Sequence, residues 1–279
     1  MKFLNLGCGN FYHKDWVNID FKSNDKFVIE YNLLKGIPLE DSSVDVVYHS
    51  HVLEHFTKKD GANFLEECNR VLKPNGVMRI AVPDLEIIVR EYLRNLELAS
   101  EGNHLDRLNY DWIKLELIDQ LTRHKSGGEM LDFIKKDEIL NEDYIKIRLG
   151  QEFINLRNDA VKQKDESVKI LKIKLSLKKS LTKSIRKLKN KIRSTLSKQL
   201  SHDQIRFQKV GQFRLGGEVH QWMYDYFSLS ILLQELGFVD IKKVDAFTSD
   251  ILDWPNYNFD ITDGETRKPD SLFIEARKK

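Results

Sequence analysis

The sequence predicts an α/β fold: a doubly wound, mostly parallel sheet with a long helical insertion after its fifth strand. Three observations lead there. Strand and helix signals alternate over the first ninety residues, the chain from about Leu85 to Gly216 is charged, proline-free and helix-like, and the alternation resumes in the last sixty. Strands alternating with helical segments make βαβ units, which assemble into parallel sheets. Residues 1–90 and 218–279 are therefore expected to form one split domain around an insertion at 91–217.

The elements follow in order. "KFLNL" is a short apolar strand ending at Gly7, and "WVNID" a second ending at Asp20. "VDVVYHS", with its β-branched run, reads as a buried strand of a parallel sheet. "KKDGANFLEECNRVL" places Phe64, Leu65, Cys68, Val71 and Leu72 at helical spacing, and "KPNG" stops that helix. "VMRIAVPD" is the next strand. Beyond the insertion, "SLSILLQELGF" reads as an amphipathic helix ending at Gly237, followed by the strands "VDIKKVDAF" and "SLFIEAR".

A chain of 279 residues with 41% apolar content can bury a sizeable core. Its two cysteines, Cys8 and Cys68, have no neighbours at metal-ligand spacing and fit a reducing compartment. The N-terminus lacks a signal-peptide pattern, and no apolar run is long enough to span a bilayer. The expectation is a cytoplasmic protein. Its net charge of +2 conceals an asymmetry: residues 162–200 hold 14 Lys and Arg against two acids, so the remainder carries −10.

The basic stretch has its own pattern. Leu177, Leu181, Ile185, Leu188, Ile192, Leu196 and Leu200 form one apolar stripe, so 166–200 is expected to be a basic amphipathic helix. Three readings compete: a lid or homodimerisation helix, a helix lying on the anionic inner face of a membrane, and a nucleic-acid contact. The segment has no aromatic residue for base stacking, which argues against nucleic acid.

Gly7 and Gly9 sit at the carboxyl end of the first strand, where doubly wound folds bind their ligands. The dinucleotide fingerprint would need a third glycine at position 12, which is Tyr12. The short crossover to Asp20 leaves no room for a long helix that could receive a pyrophosphate. No Gly-Lys-Ser/Thr follows, so a Walker loop is excluded. What survives is a nucleoside ligand without a bulky phosphate, its ribose held by the Asp20 carboxylate.

Taken together, "LNLGCGN", "WVNID", "IPLEDSSVDVVYHSHVLEHF" and "NRVLKPNGVMRIAVPD" resemble the S-adenosylmethionine-dependent methyltransferases of the Rossmann-like class I superfamily. Among these, the chain is most similar to bacterial predicted methyltransferases associated with surface polysaccharide synthesis. The resemblance covers the first ninety residues and the last sixty, and leaves the insertion uncovered. It implies S-adenosylmethionine as cofactor, with Gly7 and Gly9 along its methionine part, Asp20 on the ribose, and Asn32 and Leu33 at the adenine. His49, Ser50 and His51 would end the fourth strand beside the sulfonium. Asn5 departs from the family, standing where many relatives carry Asp or Glu. The implied reaction is O-methylation of a saccharide or other small molecule. The alternatives are a lipid acceptor, or a cofactor-binding scaffold recruited to membranes by the basic helix.

Methyl transfer from a sulfonium depends mainly on alignment and water exclusion, with a base needed when the nucleophile is a weakly acidic hydroxyl. Three titratable residues are expected near the acceptor. His51 follows the fourth strand. Asp84 ends the fifth, where it can also cap the next helix. His220, in "GGEVHQWMYD", is the leading general-base candidate. Glu54 and His55 read as capping and loop-packing residues, and no metal is expected.

Overall fold

The computed structural model describes residues 1–23, 25–160, 162 and 202–279. The basic helix expected over 166–200 lies outside the described residues. Five strands come from the N-terminal part: β1 (Phe3–Leu6), β2 (Val17–Asp20), β3 (Val28–Glu30), β4 (Val44–Ser50) and β5 (Leu72–Pro83). The C-terminal part adds β6 (Phe238–Val244), a small hairpin of β7 (Ile261–Thr262) and β8 (Glu265–Thr266), and β9 (Ser271–Lys278). Seven of them form one sheet in the order β3-β2-β1-β4-β5-β9-β6. β1 pairs in parallel with both β2 and β4, so successive units wind outward on either side of it. That is the switch point of the sheet. Only β9 runs against its neighbours in this sheet, antiparallel to β5 and β6.

Each strand sends alternate residues to opposite faces. Val47, Met78, Ile80, Val82, Leu272 and Ile274 join a core that also contains Phe64, Leu65, Cys68 and Val71 of α1 (Lys58–Val71). Leu229 and Leu233 of the C-terminal helix Tyr226–Glu235 complete it. The five apolar positions spaced for a helix in "KKDGANFLEECNRVL" are all buried. Thr57 opens α1 by accepting a hydrogen bond from the Asp60 amide. "KPNG" does end the helix, but it belongs to β5, which starts at Leu72 and shifts register opposite Val44 and Val46.

The opposite face is covered by the connection between β6 and β9. Val46, Tyr48 and Val77 point into an aromatic cluster of Trp16, Trp254 and Phe259. Arg79, fully buried on β5, binds this connection from beneath. Its guanidinium donates to Asp260 and Glu275 at 2.9 Å each and to the Asp245 carbonyl at 2.7 Å, and lies 4.4 Å over the Trp254 ring.

After β5 the chain is helical: α2 (Leu85–Ser100), α3 (His104–Thr122), α4 (Gly128–Ile134), α5 (Glu142–Leu149), a helical stretch at 151–160, and α6 (His202–Arg214). α2 runs unbroken through residue 90. The helix Tyr226–Glu235 is α7. α3 to α5 surround a separate core of Trp112, Phe133, Ile134, Ile145, Leu149 and Phe153. Among the described residues, no helix is long and apolar enough to cross a membrane.

Candidate functional site

The carboxyl ends of the parallel strands open into two neighbouring cavities. The larger, about 570 Å³, is walled by Gly7, Asp20, Asn32, Leu33, Val52 and Phe56, and closed by Leu215 to Gly217 beyond α6. The smaller, about 240 Å³, lies under the insertion and is lined by Glu54, Glu152, His220, Lys268 and Asp270 among others. His51 and His55 line both cavities.

Gly7 makes the turn out of β1. It sits at φ +62°, donates to the Ile19 carbonyl at 2.8 Å, and a Cβ there would come within 2.3 Å of Val52 Cγ2. Gly9 follows at φ +52°, its amide 2.8 Å from Asp20 Oδ2. Two left-handed positions flanking Cys8 fold the loop back onto the tip of β2, a conformation glycine adopts without strain. The Asp20 carboxylate thus has one oxygen fixed by the loop and borders the larger cavity. Asn32 caps a short 3-10 turn through the Leu34 amide, 3.0 Å away, and so presents Leu33 to the same cavity. Gly9 does not itself line the cavity; it holds Asp20 in place.

The end of β4 distributes its side chains differently from the expectation. His49 points into the core, fully buried against Phe64 with both ring nitrogens unpartnered. Burial lowers its pKa to about 3, so it is neutral. Ser50 accepts from Arg267 Nη2 at 3.2 Å and lines neither cavity. His51 leaves the strand at φ +54° and turns into the site. Its Nδ1 is 3.1 Å from Glu54 Oε1, and its Nε2 2.9 Å from Ser271 Oγ. Burial, with Lys268 and Arg267 nearby, holds its pKa well below the ordinary histidine value.

Asp84 is a helix cap rather than a cavity residue. Fully buried, its Oδ1 accepts from the Glu86 amide at 3.0 Å and the Ile87 amide at 3.3 Å, while Oδ2 pairs with Lys243 at 3.0 Å. Both oxygens are engaged, and it borders neither cavity. His220 does enter the smaller cavity, its ring edge-on to His55 with centroids 4.9 Å apart. The segment that carries it is docked by the Glu54 carbonyl, which accepts from the Gln221 amide at 2.7 Å.

Several lining residues escaped the sequence reading. Glu54 is buried, and burial raises its carboxyl to about 8. The loop before β9 supplies Lys268 and Asp270; Lys268 pairs with Glu152 at 2.8 Å, and burial raises Asp270 to about 7. Their only sequence signal was the density of titratable residues in "HSHVLEHF" and "TRKPDS", which charge on a solvated loop imitates.

Part of the chain is similar to known proteins. Residues 4–80 match the family model described as a methyltransferase domain. Over 56 residues the chain is 45% identical to a Mycolicibacterium smegmatis protein named "probable S-adenosylmethionine-dependent methyltransferase", a span covering 20% of this chain and 21% of that one. A Mycobacterium tuberculosis protein with the same description is 42% identical over 57 residues, 20% of either chain. The aligned region thus spans about a fifth of the curated relatives' length. A crystallised S-adenosylmethionine-dependent methyltransferase of Thermotoga maritima, described as a "possible histamine N-methyltransferase", is 11% identical over all of this chain and 82% of its own, with a TM-score of 0.39. The matched residues include Gly7, Asp20, Asn32, Leu33 and His51 of the larger cavity, whose remaining wall, Arg214 to Gly217 and Gln221, lies outside the match.

Proposed function

We propose that the protein is an S-adenosylmethionine-dependent methyltransferase that methylates a hydroxyl of a small molecule, a saccharide being the leading class. One observation carries this reading: a nucleoside-sized cavity and a polar inner cavity share a wall made by His51 and His55. The residues fit the cofactor. Asp20 offers a carboxylate for ribose hydroxyls, and Leu33, Leu34 and Phe21 give apolar walls for a base. Gly7 leaves no room for a side chain where the loop passes the cavity.

When bound, S-adenosylmethionine supplies a methyl group on a sulfonium, with a neutral leaving group. The chain's own task is alignment, exclusion of water and care of one proton. Segment 214–217 covers the larger cavity and the insertion covers the smaller. His51, kept neutral by its surroundings and bordering both cavities, is placed to take the acceptor hydroxyl's proton. The saccharide preference comes from the resemblance; the polar lining of the inner cavity supports a hydroxylated acceptor in general.

Calorimetric titration with S-adenosylmethionine and S-adenosylhomocysteine, beside Asp20→Ala, tests the cofactor. Micromolar binding that the variant loses by tenfold or more is expected. Failure of the folded wild type to bind either nucleoside ends the proposal. Binding without turnover on a broad hydroxyl panel would favour the scaffold reading instead.

A further inference from the structure

We propose that Glu54, His55 and His220 form a divalent-cation site on the wall of the smaller cavity, one that takes a first-row metal such as Zn²⁺. The three residues come from the turn after β4 and from the segment returning to α7, far apart in sequence, and each offers one donor atom within 4.8 Å of the other two. Zn–N and Zn–O bonds near 2.1 Å put tetrahedral ligand atoms about 3.4 Å apart, so closing on a cation takes side-chain movements of about 1 Å.

The second observation is what these groups lack. Glu54 is 1% exposed and His220 6% exposed, and neither Glu54 oxygen nor the Nδ1 atoms of His55 and His220 have a well-aligned hydrogen-bond partner. Buried polar atoms are normally satisfied, and orphans gathered at one cavity wall point to a missing partner. A cation supplies one partner to all three.

The surroundings suit it. The Val219 backbone favours the charged form of the His55 ring, whose Nδ1 has no partner. His51 Nδ1 stands behind Glu54 Oε1, leaving Oε2 for a ligand bond. The two cationic side chains nearby are already neutralised: Lys268 by Glu152, and Arg123 by Asp119 at 2.9 Å and Glu218 at 3.5 Å. Two imidazoles and one carboxylate select a borderline first-row cation over Mg²⁺ or Ca²⁺, and three protein ligands leave a position open. That position faces the smaller cavity, where a cation would bind and acidify an acceptor hydroxyl.

The test uses the full chain stripped with chelator and then dialysed, with no nucleoside present. Titration with ZnCl₂ alone should show one tight equivalent, and Co²⁺ should give the intense visible bands of a low-coordinate nitrogen–oxygen site. Glu54→Gln and His220→Ala should each weaken binding by roughly a hundredfold, whereas His124→Ala at the surface should not. Absence of a stoichiometric equivalent, aqua-like Co²⁺ bands in the wild type, or unchanged binding in both site variants overturns the proposal. The wild-type Co²⁺ spectrum decides without any variant, should either fail to fold. Because no nucleoside is present, failure here leaves methyl transfer standing, and failure of nucleoside binding leaves this site standing.

Discussion

At Gly7 the backbone and the neighbouring side chain demand the same thing. A methyl group there meets Val52 at 2.3 Å in a backbone region that L-residues enter at a cost of about 1–3 kcal/mol. Gly7→Ala should therefore lower the melting temperature and weaken S-adenosylhomocysteine by at least tenfold, since Val52 walls the same cavity. Gly9→Ala meets no side chain and should cost less on both measurements. Between them, Cys8 is buried, and desolvation together with the Asp20 charge pushes its thiol up to about 12. Burial pushes Cys68 up as well. Thiolate is the reactive form, so neither cysteine should react with iodoacetamide at pH 8 in the folded protein, while both should in urea. Mass spectrometry of the alkylated protein reads this directly. Gly7, Gly9 and Asp20 were legible in the sequence because a turn out of a strand and an acid at the next strand's tip are local signals. The roles of His49 and Ser50 were not. Which of the three successive residues His49, Ser50 and His51 turns into a cavity depends on where β4 stops, and a one-residue change exchanges the two faces.

At the scale of elements, the Arg79 cluster is the strongest tie between sheet and connection. Arg79, Asp260 and Glu275 are all nearly inaccessible to solvent, with side chains at most 1% exposed. Removing the guanidinium leaves two buried carboxyls without their counter-charge, Asp260 keeping only the Tyr48 hydroxyl and Glu275 only Ser249 and the Asp250 amide, a change that costs about 3–5 kcal/mol. Arg79→Met should lower the urea midpoint accordingly, and restoration by Arg79→Lys should be partial because one ammonium cannot serve both carboxylates. Asp84→Ala, which deletes the α2 cap, should cost about 1 kcal/mol in the same assay. The parallel strands and α1 were readable from period and punctuation. The β6–β9 connection was not, because its burial arises from Trp254, Phe259 and Asp260 meeting strands far away in sequence. Likewise, nothing local to "VHQW" reveals that His220 faces His55.

For the molecule as a whole, its buried titratable groups set the pH of greatest stability. His49, His51, His55 and His220 are held neutral by burial, the first with a pKa of about 3 and the third about 4. The unfolded chain takes up those protons below its ordinary histidine value, so stability falls as pH drops below about 6.5. Glu54 and Asp270 act in the opposite sense. Their folded pKa values, about 8 and about 7, make the native state keep protons that the unfolded chain releases, so stability falls as pH rises from the carboxylate range towards 8. Four histidines outweigh two carboxyls on the acid side. These six groups place the maximum near about pH 6.5, with a limiting slope of about 1.4 kcal/mol per pH unit for each net proton. Melting temperatures of chelator-treated protein from pH 5 to 9 should trace that maximum. His49→Leu should flatten the acid limb and leave the alkaline limb unchanged; a monotonic profile would contradict the assignment.

The position of β9 also bears on how the chain is made. Arg79 is synthesised with the N-terminal half, yet its carboxylate partners lie 181 and 196 residues further on. Until they emerge, the nascent sheet has a guanidinium on the face that will later be sealed by Trp254 and Phe259. That charge keeps the face hydrated and discourages premature closure or pairing with another chain along the free edge of β5. Completion of the sheet has to wait for residues 238–278. β9 slots between β5 and β6, the two carboxylates arrive together, and a charge that protected the growing chain becomes the clamp of the finished one.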